Sequence, residues 1–183
     1  MNRCASEPPD FNLAERHQGV TPAIGESFTE AARVCLGRHH QSPIAFTIDD
    51  SGAATSAIVD WETADEKTRI AHANETDATE WGAYACALAT TELARGLFAI
   101  RRAETQTGAD YYLAAAGTRL DDLEKCFRLE VSGTDKGTPK DVEVRLLQKV
   151  AQARAGQSNL PALATVVGFK AQKIAVKDVG EGA

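Results

Sequence analysis

Paired cysteines at metal-binding spacing, glycine-rich phosphate loops and long apolar runs are all missing from this chain. Its four cysteines, Cys4, Cys35, Cys86 and Cys126, lie 31, 51 and 40 residues apart. None forms a C-x-x-C pair, so a zinc finger or ribbon is excluded. No P-loop or dinucleotide-type glycine pattern occurs, and no serine sits in the G-x-S-x-G context of a hydrolase elbow. Nothing approaches the ~20 apolar residues of a membrane span. Residues 1–10 carry acids and a proline pair with no apolar run behind them, so no secretory signal is expected and the expected compartment is the cytoplasm. Disulfides are not expected there. Positive charge is also scarce: 20 Lys and Arg face 26 Asp and Glu, a net charge of −6. A protein coating nucleic acid through bulk charge should be basic, which disfavours that class.

What is present is an ordinary globular composition. The 183 residues are 43% hydrophobic and 25% charged, which suits one domain, with or without an arm. Charge is segregated: residues 95–154 hold 11 basic and 9 acidic side chains, leaving 9 and 17 for the rest. A mildly basic segment inside an acidic chain leaves room for a local phosphate-facing surface, although an ordinary mixed surface has the same composition.

Periodicity divides the chain. Residues 1–25 have no period and read as a loose arm, followed by one domain over 26–183. Phe28, Ala31, Ala32, Cys35 and Leu36 recur at helical spacing, with a stop at Gly37. Residues 44–48 and 57–61 are strand-like runs around Asp49-Asp-Ser-Gly52, a hairpin pattern. Residues 63–74 form a polar helical connector. Asp77 and Glu80 have the spacing of a capping box opening a helix to about Arg95. Strands are expected over 97–100, 109–113 and 126–131, and a helix from Pro139 to about Gly156 buries Val142, Leu146, Leu147 and Val150. Two further strands, 163–169 and 174–179, complete an α/β fold with a central mixed sheet.

Two acids interrupt the apolar strands: Asp110 early in one, Glu130 late in the next. A buried carboxylate is costly without a compensating cation or donors. If the strands pair antiparallel, the two acids stand side by side and raise each other's pKa unless a divalent ion lies between them. The plainer alternatives are that Asp110 caps a turn and that Glu130 pairs with Arg128 or faces solvent. Glu80 has its capping-box use. His39-His40 follow Arg38 near a helix end, where basic side chains suit the helix dipole and neighbouring histidines cannot share a metal. Arg101-Arg102 either touch phosphate or protect an edge strand. Trp61 and Trp81 are read as packing residues.

Residues 77–170, with Gly108-Ala-Asp110, Arg128-Leu-Glu-Val-Ser-Gly133 and the helix acid Glu80, resemble the PD-(D/E)XK, or restriction-endonuclease-like, nuclease superfamily. The block Asp77-Ala-Thr-Glu-Trp-Gly-Ala-Tyr84 also resembles bacterial proteins of that type associated with antiviral defence. The resemblance implies an αβββαβ core preceded by a helix and a hairpin, and a DNA nuclease: a hydrolase requiring Mg²⁺ or Mn²⁺. It implies Asp110, Glu130 and the Val131 carbonyl as metal ligands, with Glu80 at a second ion or a metal-bound water. Ser132 stands where the family pattern carries lysine and cannot replace an ammonium. The missing cation is then sought at Lys149 or Arg145 on the following helix, or at Lys136. Arg128, Lys136, Arg145 and Gln148 are the expected nucleic-acid contacts. The acidic charge suggests a homodimer or a protein complex. The Ser132 departure keeps open a catalytically silent subunit that binds a partner protein in a defence complex, and the pI of 5.3 would also suit an immunity or regulatory protein.

Overall fold

The computed structural model describes residues 12–180 except Gln106, Leu120 and Gln157. Residues 1–11, with Cys4 and the first part of the expected arm, lie outside the described residues. The fold is mixed α/β: among the described residues, five helices accompany one seven-stranded mixed sheet of order β2-β1-β7-β6-β5-β4-β3. The strands are β1 (Ile44–Asp50), β2 (Ala53–Val59), β3 (Leu97–Arg102), β4 (Tyr111–Ala115), β5 (Phe127–Thr134), β6 (Ala162–Gly168) and β7 (Lys173–Val179). The helices are α1 (Leu13–Arg16), α2 (Pro22–His39), α3 (Glu66–Ala71), α4 (Glu75–Arg95) and α5 (Pro139–Ala155). β5 and β6 are parallel, as are β1 and β7; the other neighbours are antiparallel. Among the described residues no helix is long and apolar enough to cross a membrane.

Local chemistry sets the element ends. Thr21 caps α2 and Pro22 opens it, because a first-turn proline loses no helical hydrogen bond. α4 corrects an expectation: its cap is Asn74, whose Oδ1 accepts from the Thr76 and Asp77 N–H groups, so Asp77 lies inside the helix and the Asp77–Glu80 capping box does not form. Gly96, at φ 64°, ends α4 in the left-handed region. A capping box does form on α5, between Thr138 and Asp141 with Pro139 behind it. The β1–β2 turn is Ser51-Gly52, both at positive φ, the pattern of a two-residue hairpin loop.

α2 and α4 cover one sheet face and approach closely: a Cβ on Gly82 would stand 3.0 Å from backbone atoms of Ala32. The main core joins Phe28, Leu36, Tyr84 and Leu88 of these helices to Leu113, Leu129, Leu163 and Ile174. α5 covers β6 and β7 on the other face through Val142, Val150 and Ala153. Leu147, expected on that buried face, is 59% exposed; Ala153 takes its share of the contact.

Residues 12–25, expected within a loose arm, are packed, with Leu13, His17 and Val20 buried. They cover the β3 edge: Gly19 N–H donates to the Ala99 carbonyl at 2.9 Å, and Ala99 N–H donates to His17 Nδ1 at 2.9 Å. His17 Nε2 lies 3.2 Å from Glu92, which also holds Arg16. Because Nδ1 accepts a hydrogen bond, the folded state needs the neutral ring. Burial lowers the His17 pKa, and Glu92 opposes this only in part. The unfolded chain binds the proton below about pH 6.5 and the folded chain resists it, so stability falls as pH drops through that value. The expected cost is up to about 1.4 kcal/mol per pH unit. Thermal melts between neutral and mildly acid pH check this: His17→Gln should flatten the decline, and an unchanged slope would show that His17 does not cause it.

Candidate active site

An open cleft of about 890 Å³ lies between the start of α4, the adjoining parts of β4 and β5, and the outward side of α5. The β4–β5 register pairs Tyr111 with Leu129, which carries Asp110 beside Glu130. Asp110 clasps β5 on both sides of Glu130. Its N–H donates to the Leu129 carbonyl at 2.7 Å, and its Oδ2 accepts from the Val131 N–H at 2.8 Å. The carboxylate thus bonds to β5 and α4 rather than to the turn after Gly108. Its Oδ1 accepts from Tyr84 Oη at 2.7 Å, and Arg102 Nη2 lies 3.4 Å from the same oxygen.

Arg102 is set by aromatic rings. Its guanidinium carbon sits 4.7 Å from the Tyr84 ring centre and 4.8 Å from that of Tyr111, a cation–π arrangement, and its Nη2 donates to Tyr84 Oη at 3.1 Å. Half of its side chain remains exposed. Burial pushes the Tyr84 phenol above its ordinary pKa, and the Asp110 charge adds to this, so Tyr84 stays a neutral donor.

Strand alternation sends Arg128, Glu130 and Ser132 to the α5 side of β5. Lys149 Nζ reaches Glu130 Oε1 at 2.7 Å and donates to Gln152 Oε1 at 3.0 Å. The Glu130 side chain is 5% exposed and that of Lys149 15%, so this is a buried pair. Burial raises the Glu130 pKa, the Asp110 charge adds to the rise, and Lys149 opposes it. Arg145 Nε donates to Ser132 Oγ at 2.9 Å.

Glu80, Asp110, Glu130, Val131, Ser132, Arg145 and Lys149 all line this one cleft. Glu80 is exposed and 3.4 Å from Tyr84 Oη. Three other expected residues are elsewhere. Arg128 is 5% exposed and donates to the carbonyls of Thr107, Ala153 and Leu160; its guanidinium closes the C-terminus of α5 and has no access to a nucleic acid. Lys136 is not in the lining itself but pairs at its rim with Glu75, which is. Gln148 is exposed and outside the lining, and Gln152, one turn further along α5, takes the position facing Lys149. The expectation for Gln148 is therefore off by one helical turn.

Tyr84 and Gln152 were not foreseen as site residues; Arg102, weighed as either a phosphate contact or an edge-strand guard, lines the cleft. The Glu80–Tyr84 spacing of four, which puts both on one helix face, was the available signal for the tyrosine. His39 and His40 serve separate partners, Asp135 and the Phe169 carbonyl. Cys35, Cys86 and Cys126 are buried free thiols, and burial pushes Cys35 and Cys86 up to about 12, away from nucleophilic use.

Among the described residues no group of three or more His, Cys, Asp or Glu side chains is placed to hold a metal, so Glu80 does not complete a three-carboxylate set. The adjacent pair Asp110 and Glu130 suits Mg²⁺, which commonly takes one or two protein carboxylates and fills its shell with water and substrate oxygens. The cleft lining carries more carboxylates than cations, a balance that attracts a divalent cation more readily than a bare phosphate. Compared with known proteins, the chain matches no family model, no curated protein and no solved structure.

Proposed function

We propose that the cleft is the centre of a metal-dependent nuclease hydrolysing phosphodiester bonds of DNA, of the PD-(D/E)XK kind. The observation that carries this reading is the convergence of Asp110, Glu130 and Lys149 in one open cleft, with the lysine arriving from α5 instead of β5. The order α4-β3-β4-β5-α5-β6, with β3, β4 and β5 antiparallel and β6 parallel to β5, supports it.

In this reading Asp110 and Glu130 hold Mg²⁺ or Mn²⁺, with the Val131 carbonyl as a third oxygen. When bound, the ion supplies a water of lowered pKa and polarises the scissile phosphate. The chain's own groups do the rest. Tyr84 and the Val131 N–H hold Asp110 in place. Lys149, oriented by Glu130 and Gln152, supplies the positive charge that Ser132 lacks and stabilises negative charge developing on phosphate. Arg102, stiffened by two rings, offers its remaining N–H donors to a phosphate oxygen.

Cleavage of plasmid and single-stranded DNA with Mg²⁺ and with Mn²⁺ tests the reading. Nicking is expected, lowered at least about 100-fold in Glu130→Gln and in Lys149→Met. Calorimetric titration with Mn²⁺ should give binding that Asp110→Asn abolishes. One observation favours a second reading, a silent subunit that binds a partner: both carboxylates already have protein partners. Mn²⁺ binding without cleavage under any condition would select it, and unchanged Mn²⁺ binding in Asp110→Asn and Glu130→Gln would remove the metal site from both.

A further inference from the structure

The two edges of the sheet are treated in opposite ways. β3 is guarded: residues 17–19 bond to Ala99, the register slips between Ala99 and Arg101, and Arg101 and Arg102 put charge on the strand. Straps, bulges and edge charges are the usual means of preventing a sheet from pairing with another chain. β2, at the opposite edge, has none of them. Its residues, Ala53-Ala-Thr-Ser-Ala-Ile-Val59, include no charge and no proline, and they pair with β1 without a bulge over the strand's whole length. Its outer edge pairs with no described residue, and residues 53–56 are all exposed.

We propose that β2 is a homodimerisation edge, pairing antiparallel with β2 of a second copy so that the two sheets become one. The hairpin loop decides which groups are free. Residues flanking a two-residue loop bond to each other, so Asp50 pairs with Ala53 and the alternation turns Thr55, Ala57 and Val59 towards β1. The main-chain N–H and C=O groups of Ala54, Ser56 and Ile58 then face outward. A two-fold axis at Ser56 sets Ser56 against itself and Ala54 against Ile58, giving about six hydrogen bonds at two per bonded pair.

Three features select a second copy as occupant. The strand is neutral, so two copies bring no like charges together. Among the described residues only the β2 edge is open, so the assembly closes at two copies and does not extend into a fibre. On the α4 side of the sheet, Ala57 and Val59 line a shallow apolar groove with Leu93, and the two-fold axis places this groove beside its mate. Ile58, 43% exposed, adds apolar contact on the other side of the sheet. This inference does not depend on the nuclease reading.

Sedimentation equilibrium of the full chain at tens of micromolar tests it. The expected mass is twice the chain's 19.5 kDa. Ser56→Pro removes an outward N–H while sparing the β1 ladder, and should weaken association at least about 100-fold without altering the far-ultraviolet circular dichroism. Ser56→Lys, which sets two ammonium groups at the two-fold axis, should do the same and keeps the test sharp if the proline variant misfolds. A monomeric wild-type chain overturns the proposal, and so does a dimer that survives Ser56→Lys unchanged.

Discussion

Lys149→Met is expected to destabilise the fold by about 3 kcal/mol, because it strands Glu130 as an uncompensated charge in a nearly closed site. Glu130 is 5% exposed and bonded to Lys149 at 2.7 Å, and burial already holds its carboxyl above the ordinary range with the lysine present. Removing both charges in Glu130→Gln/Lys149→Met should recover most of the loss, since two neutral groups of similar volume no longer bear a desolvation cost. Urea unfolding of the four proteins of this cycle gives the coupling directly. If Lys149→Met lies within about 0.5 kcal/mol of wild type, the pair behaves as a surface ion pair and the buried-pair account is wrong. The comparison also separates stability from chemistry: on the proposed nuclease reading, the double variant should be nearly as stable as wild type yet fail to cleave DNA.

The second large effect lies outside the cleft. Arg128→Met should cost about 3 kcal/mol or more, because three carbonyls lose a charged donor where water cannot easily replace it. The site is built around this guanidinium. A Cβ on Gly156 would stand 2.4 Å from the Thr107 carbonyl oxygen and 2.7 Å from Arg128 Nη1. Gly108, at φ +65°, packs against Gly156 so closely that a Cβ there would meet its Cα at 3.0 Å. Two glycines thus let the β3–β4 loop and the end of α5 converge on one side chain. Chemical denaturation measures the loss. On the proposed nuclease reading, DNA affinity of the remaining folded protein at low temperature should stay within about twofold of wild type, since a side chain bonded to three carbonyls makes no phosphate contact. A large affinity loss with unchanged stability would overturn this assignment and restore Arg128 as a contact residue.

Much of the frame was legible in advance because it rests on short-range chemistry. Pro139 after Thr138, Gly96 after Arg95 and Ser51-Gly52 between two apolar runs mark element ends through backbone geometry that each residue imposes alone. The four expected helices and most of the expected strands accordingly fall within a few residues of their observed bounds, whereas α1, inside the expected arm, had no counterpart. The α4 cap was misplaced by three residues because Asp77 and Asn74 are both competent caps, and only the observed bonds choose between them. Residues 12–20 read as part of a loose arm because their order comes from distant partners, Ala99 and Glu92, and periodicity is blind to a single buried histidine; Thr21-Pro22, a local helix-start signal, was passed over.

The acids Asp110 and Glu130 could be singled out from the sequence because a charge inside an apolar strand demands an explanation wherever the strand lies. Their adjacency required only that two consecutive strands pair antiparallel. What they are bonded to could not be read the same way. Lys149 meets Glu130 across a helix–sheet interface, and Gln152 stands in the cleft in place of Gln148, one turn away on the same face, because the position of α5 along the sheet is set by Val142, Val150 and Ala153 packing on β6 and β7. Arg102 reaches Asp110 because two tyrosines from different elements, packed edge-to-face on each other, both hold its guanidinium. Local sequence thus determined the element order, the turn positions and the two candidate carboxylates. Tertiary packing alone decided which cations and donors meet those carboxylates and that Arg128 is sealed inside, because helix rotation and strand neighbours are collective outcomes of the core and no single stretch of residues encodes them.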